Sequence, residues 1–228
     1  SGGFLTVTGG VVELHSVEKL TSVDVYASGA VAAYADITTA NINNSGTLRF
    51  MEGANTGAIY NDGVIGFAQG ATTGYIGNAG LIEAYGAMTT GSIDNWGMLG
   101  FAEGADITGD VHNIGAMWLA GETTVSGNVT NGEDGDFFIE GTLDVGGNID
   151  FQDTGAVYLA GDITADGTVT NDGLMTVVGN FDDHGVETAA TRRITTAGFQ
   201  DPTGVVDLGG EQGVANTLVI DQTGNTTY

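Results

Sequence analysis

The sequence predicts an all-β fold, a single-chain parallel β-solenoid of about ten coils of 17–20 residues. Three observations predict it: a fixed short repeat, apolar columns at strand spacing, and abundant glycine almost without proline. Across residues 41–119 the chain reads NINNSGTLRF, AIYNDGVIGF, YIGNAGLIEA, SIDNWGMLGF and DVHNIGAMWL. Its glycines fall at Gly46, Gly63, Gly80, Gly97 and Gly115, in steps of 17, 17, 17 and 18. A short fixed period marks stacked units, each burying its apolar face against the next.

The columns say what kind of unit is stacked. Four residues before the repeat glycine stand Val25, Ile42, Ile59, Ile76, Ile93, Val111, Phe151 and Val169. Two after it stand Val31, Leu48, Ile65, Ile82, Leu99, Met117, Phe137, Val157 and Met175; four after it come Phe50, Phe67, Ala84, Phe101, Leu119, Ile139, Leu159 and Val177. Alternate residues share one face of a strand, whereas a helix would show spacings of three and four. The 40 glycines and single proline suit many tight turns, and a hydrophobic share of 41% supplies a continuous core.

The register extends upstream through Gly29 and Gly10 and downstream through Gly135, Gly155, Gly173 and, after an irregular passage, Gly204. At ~4.8 Å per stacked strand the rod is roughly 50 Å long. The whole chain, residues 1–228, reads as one solenoid domain. The stretch 180–200 breaks the rhythm and carries Arg192 and Arg193, which predicts an inserted loop or a cap over the rod's end.

Two residues before the glycine lies an asparagine column: Asn44, Asn61, Asn78, Asn95, Asn113 and Asn171, with Glu133 and Asp153 as replacements. Stacked amides can bond up and down a ladder, and asparagine and glycine both tolerate left-handed backbone in turns. The column is therefore assigned to structure.

The charge balance excludes several partners. With 29 acidic residues against four basic ones, the formal charge is −25, which repels phosphate backbones and anionic membranes. Nucleic-acid binding and direct membrane insertion are excluded on this ground and on the lack of a membrane-length apolar run. The absence of cysteine removes disulfides, thiolate chemistry and cysteine-based zinc sites. No leader is recognisable at Ser1, which suits a mature or excised segment or an intracellular chain.

The unit N-x-G-x-[LIV]-x-[FLV], flanked by G-A-x-T-G at residues 53–57 and 70–74 and by GADITG at 104–109, resembles the β-helical passenger domains of bacterial autotransporters and of filamentous-haemagglutinin-type surface proteins. The ending VVDLGGEQGVANTLVIDQTGNTTY is similar in style to the end of such passengers. The resemblance implies a right-handed parallel β-helix on or beyond a bacterial surface. These coils are shorter than those common in that family.

Three kinds of site come into question. Catalysis by paired carboxylates would need a suitable separation and a substrate clamp; Asp94 and Asp110 are outward candidates, but no basic residue accompanies them. His15, His112 and His184 lie far apart in sequence. No catalytic residues are assigned. Possible calcium ligands cluster at Glu133, Asp134 and Asp136, and at Asp182 and Asp183, in spacings that match neither an EF-hand nor a glycine-aspartate nonapeptide; no other cofactor is implied. Outward and three after the glycine lie Trp118, Phe138 and Tyr158, a stripe that either stabilises the sheet by cross-strand stacking or contacts a glycan or a cell-surface protein. The reading that results is a non-enzymatic extracellular solenoid, acting as a fibre or surface-layer subunit or an adhesin stalk, with end-to-end self-association through terminal strands. The alternative is a polysaccharide-binding or polysaccharide-degrading β-helix.

Overall fold

A computed structural model describes residues 2–16, 18–152, 154–181, 184, 186–210 and 214–223, with the side chain of Glu18 left aside. It is all strand and turn among these residues. Two parallel sheets run the length of a β-solenoid of about ten turns: a short-stranded sheet of 11 strands and a long-stranded sheet of 17. In each coil a strand such as Val64–Phe67 crosses the short-stranded sheet. The chain then turns onto the long-stranded sheet, which bends along its length into two flats. In the early coils one strand covers both flats, as Ile37–Asn44 and Ala54–Asn61 do; later coils break at the bend, as in Met88–Thr90 followed by Ile93–Asn95. The cross-section is thus a triangle with three flat sides.

The columns counted from the glycine form the core. Ile65, Ile82, Phe67, Phe101, Ile59 and Ile76 are buried, and every residue of the two columns after the glycine lies inside. Neighbouring rungs match residue for residue, Ile59 to Ile76 to Ile93 to Val111. Phe50 and Phe67 stack with ring centroids 4.9 Å apart, one strand spacing. The third flat completes the core with Ile37, Ala54, Ala71, Met88 and Ala105, followed by Thr123, Leu143, Ile163 and Ile194. Its second inward column begins as buried threonines, Thr39, Thr56, Thr73 and Thr90; Thr73 and Thr90 share a hydroxyl–hydroxyl bond of 2.7 Å.

Changes of period are absorbed at corners, never on the flats. One residue added at the bend, between Ile107 and Val111, lengthens the step to Gly115 from 17 to 18. Two more, between Asn131 and Gly135, bring the next step to 20. This corrects the register at three places. Asn131, not Glu133, pairs with Asn113 and takes the asparagine rung, while Glu133 sits on the outside of a longer turn. Phe151 faces Asn131 on one side and Asn171 on the other, and Val25 faces Asn44. Both therefore occupy the asparagine column, and Ile149 and Val23 fill the column assigned to them. Asp153 lies outside the described residues.

The repeat glycine is explained by stacking, not by a left-handed turn. Among the described residues the glycines with positive φ are Gly10, Gly104, Gly121, Gly209 and Gly210, so Gly46, Gly63, Gly80, Gly97 and Gly115 are not among them. A Cβ on Gly63 would run into the carbonyl oxygen of Gly46, and one on Gly80 into that of Gly63. The turn peptides lie one upon another too closely for any side chain.

The stretch 180–200 is half insertion and half coil. Thr191–Gln200 is a regular ten-residue strand of the long-stranded sheet, paired with Asp162–Asn171. The excursion is the small antiparallel hairpin of Asn180–Phe181 with Glu187–Thr188, inserted at a corner that other coils turn in two residues. Arg192 donates to the Val178 carbonyl and to Asn180 Oδ1, and Arg193 pairs with Asp221. Both arginines thus tie the hairpin and the last strand to the rod.

Two substitutions test the register. Ile76→Asp puts an unpaired carboxylate between two coils and is expected to cost several kcal/mol. Asn78→Val removes one rung of the buried amide ladder and is expected to cost about 2 kcal/mol, because it strands Asn95 Oδ1 without its donor. Thr89→Lys on the outside should change little. Urea unfolding followed by circular dichroism gives the order; an outside variant as damaging as either inside one would refute the register.

Candidate functional site

The outer surface of the short-stranded sheet carries two outward columns, one and three residues after the glycine. The first runs Val64, Leu81, Met98, Ala116 and the second Arg49, Gly66, Glu83, Gly100, Trp118, Phe138, Tyr158. The three aromatic residues named from the sequence therefore do stand on consecutive rungs. Phe138 and Tyr158 are stacked, centroids 4.4 Å apart and planes 4° from parallel. Each shields one ring face of the other, a contact that serves cross-strand stabilisation.

Trp118 differs. It stands next to Gly100, and a Cβ there would lie 3.3 Å from its Cε3, so the indole leans over a rung without a side chain. The result is a cup of about 210 Å³. Along the rod it runs from Glu83 past Trp118 to Phe138; Leu81, Met98 and Ala116 close one flank, Tyr85 and Ala102 the other. The Tyr85 hydroxyl donates to Glu83 Oε2 at 3.0 Å, and this bond is the first cause holding the Tyr85 pKa above its ordinary value. Sequence reasoning missed Glu83, Tyr85, Met98 and Gly100. The signal was available in the same count that found Trp118, as a large–Gly–large–Gly–large run up the second column.

The other candidates resolve differently. Among the described residues no group of three histidine, aspartate or glutamate side chains converges as a metal site. Glu133, Asp134 and Asp136 are all exposed, and Asp134 adopts a left-handed φ of 64° in the lengthened turn. These three stand on the outside of the lengthened turn without converging on a common point; Asp182 and Asp183 lie outside the described residues. Asp94 accepts a hydrogen bond from the Tyr75 hydroxyl at 2.7 Å and lies 3.8 Å from His112 Nδ1. Asp110 caps the next coil, accepting from the Asn128 backbone N–H at 2.7 Å. Asn128 and Asn148 repeat that capping, each accepting from the backbone one coil on. Both aspartates are thus engaged in structure.

Comparisons with protein-family models, with curated proteins and with solved structures find no match for this chain.

Tyr75 offers a spectroscopic check on the outward long-sheet column. Partial burial, then the bond to Asp94, raises its pKa to about 12. The neutral phenol is the form favoured in the folded chain. Its contribution to stability is complete below the ordinary pKa of 10.0 and is lost as pH rises towards 12. An ultraviolet tyrosinate titration should show a late-ionising component, and the part of it due to Tyr75 should move to lower pH in Asp94→Asn while that of Tyr85 stays. An unmoved titration would refute the pairing.

Proposed function

We propose that this chain is a non-catalytic β-solenoid of an extracellular, bacterial-surface type, serving as the rod of an adhesin or as a subunit of a fibre or surface layer. One observation carries the reading: an apolar core and parallel strand pairing continue from coil to coil, with an amide ladder through the central coils, which makes a stiff spacer presenting flat faces. The autotransporter-passenger and filamentous-haemagglutinin resemblance in the repeat units supports the same assignment. The engagement of Asp94 and Asp110 as structural acceptors supports a non-catalytic role over the polysaccharide-degrading alternative.

Self-association belongs to this proposal. Ile220 occupies an inward column opposite Ile194 yet is 37% exposed, because it lies on the outermost described strand at that end. At the other end Leu5, Val12 and Leu14 are only partly buried against the core. Both ends present an apolar cross-section and strand edges that another coil would cover. For the isolated chain we propose that a second copy supplies that coil, adjoining coils of a longer chain being the alternative; a head-to-tail contact of this kind does not close on itself, so it generates a filament.

Sedimentation at rising protein and salt concentration tests the proposal, with electron microscopy of the products. Linear polymers are expected, favoured by salt that screens the acidic surface, and reduced in a Val12→Lys, Ile220→Lys variant. A wild type monomeric at every concentration, or a variant polymerising equally well, would overturn self-association. Turnover on a panel of glycans, lost in Asp94→Asn, would overturn the non-catalytic assignment. Chelation of divalent cations should shift the melting temperature by less than about 5 °C, since no ion-dependent folding energy is assigned.

A further inference from the structure

We propose that the cup over Gly100 receives an arginine side chain presented by a partner polypeptide, the guanidinium lying against the Trp118 indole and pairing with the Glu83 carboxylate. This deepens the adhesive reading and rests on it for the identity of the occupant as a partner's side chain.

The shape of the cup comes first. Strands are one spacing apart, so Glu83 and Trp118 bracket a single rung from which the side chain is missing. Elsewhere in this column the neighbouring rungs are filled by rings in parallel contact, as Phe138 and Tyr158 show. The indole leaning over Gly100 takes part of that rung, and the space of about 210 Å³ left beside it is room for the flat end of one side chain, not for an extended polymer.

The chemistry narrows the occupant. The single ionisable carboxylate lining the cup is Glu83, and among the described residues no cation lies within ion-pairing distance of it. Arg49 stands two rungs away with its stem beside Gly66, close enough for its charge to act on Tyr85 but forming no ion pair with Glu83. An indole face attracts cations through its quadrupole, and a carboxylate beside it adds an ion pair. Arginine meets both demands, because its guanidinium is planar, stacks on aromatic rings and forks onto carboxylates. Its methylene stem would lie along Leu81 and Met98. A phosphate, sulfate or uronate is opposed by Glu83 and by a formal charge of −25, a field that would also draw a basic partner in.

The test uses Trp96→Phe as the parent, since Trp96 and Trp118 are the two tryptophans and Trp96 does not line the cup. Acetyl-arginine amide, the uncharged isostere acetyl-citrulline amide, and methyl glucoside are titrated in turn, with indole emission and calorimetry as readouts. Saturable binding of the arginine amide is expected, at least about tenfold tighter than the citrulline amide, and weakened about tenfold by Glu83→Gln. Gly100→Val, which fills the rung without touching the core, should abolish it. Unchanged circular dichroism and melting of these two variants shows that they fold. Equal binding of citrulline, binding of the glucoside in place of arginine, or full affinity in Gly100→Val would each overturn the proposal. Trp118→Leu extends the test by calorimetry alone. If the amide binds as expected but surfaces coated with the rod adhere to no basic partner, the site stands and the adhesive reading fails. Equal adhesion by wild type and Gly100→Val would keep the adhesive reading and overturn the cup as its contact.

Discussion

The structure depends on one constraint, that successive coils must stack in register with nothing between their turns. At the Asn–Gly corner that constraint is met by a chain of buried amides. Asn44, Asn61, Asn78, Asn95 and Asn113 each donate a hydrogen bond to the next asparagine at 2.7–2.8 Å, the last ending on Asn131. Each amide nitrogen also reaches backbone carbonyls of its own and the following coil, as Asn61 does to Gly63 and Leu81. Inside a dry core such a chain is stable only when complete, because a buried unpaired amide carries the full desolvation penalty. The orphans fall where the chain stops. Asn44 Oδ1, facing Val25, and Asn171 Oδ1, facing Phe151, lack partners. The ladder has a direction, and its open acceptors mark where a coil contributes an apolar side chain instead of an amide.

How much of this was legible in the sequence follows from what repeats and what does not. The columns after the glycine were legible because the short-stranded sheet starts at a fixed distance from the stacked turn. The column before the glycine was legible only while the turn kept its length. Two extra residues at 131–135 moved Asn131 into the ladder and pushed Phe151 out of the column to which counting from the glycine had assigned it. Glu133 was misplaced for the same reason. The third flat escaped notice because many of its inward positions in the early coils, Thr39, Ala54, Thr56, Ala71 and Thr73 among them, are small or polar residues that interrupt the apolar signal of Ile37 and Met88. Ala54, Ala71 and Thr56, Thr73 are inside because the rung below and the rung above cover them. The candidate site was half legible. Trp118 stands out in any reading, whereas Gly100 matters only once the strand pairing shows that it lies beside that ring.

The acidic composition poses a separate problem, since a parallel stack puts identical positions one strand spacing apart and like charges there repel. The chain avoids this by alternation. On the outside of the third flat the rungs read Thr89, Asp106, Thr124, Asp144 and Thr164. Thr124 donates to Asp106 at 3.0 Å, so the intervening residue also solvates its neighbour's charge. Asp24 is served in the same way by Asn43 and Ser22. Across the described strand pairs no two carboxylates occupy facing positions. The net charge is therefore a property of the whole surface rather than of any one column, and it acts on approaching partners more than on the fold.

That division separates the two outward columns of the short-stranded sheet from the rest of the surface. There the rungs carry Leu81, Met98, Trp118, Phe138 and Tyr158, side chains that neither disperse charge nor enter the core. Rings on consecutive rungs can satisfy one another, as Phe138 and Tyr158 do. A ring beside glycine cannot, because the next rung offers it no face. Under the adhesive proposal, single glycines in the outward column are what leave a ring accessible to a partner. Gly66 lies between Arg49 and Glu83, and Gly100 between Glu83 and Trp118. In the second case the rung is bounded by an aromatic face on one side and a carboxylate on the other. A stack built by repetition makes every face alike, so a recognition site has to arise from a break in one column. Gly100 is such a break, and it leaves the core columns on either side of it, Leu99 and Phe101, undisturbed.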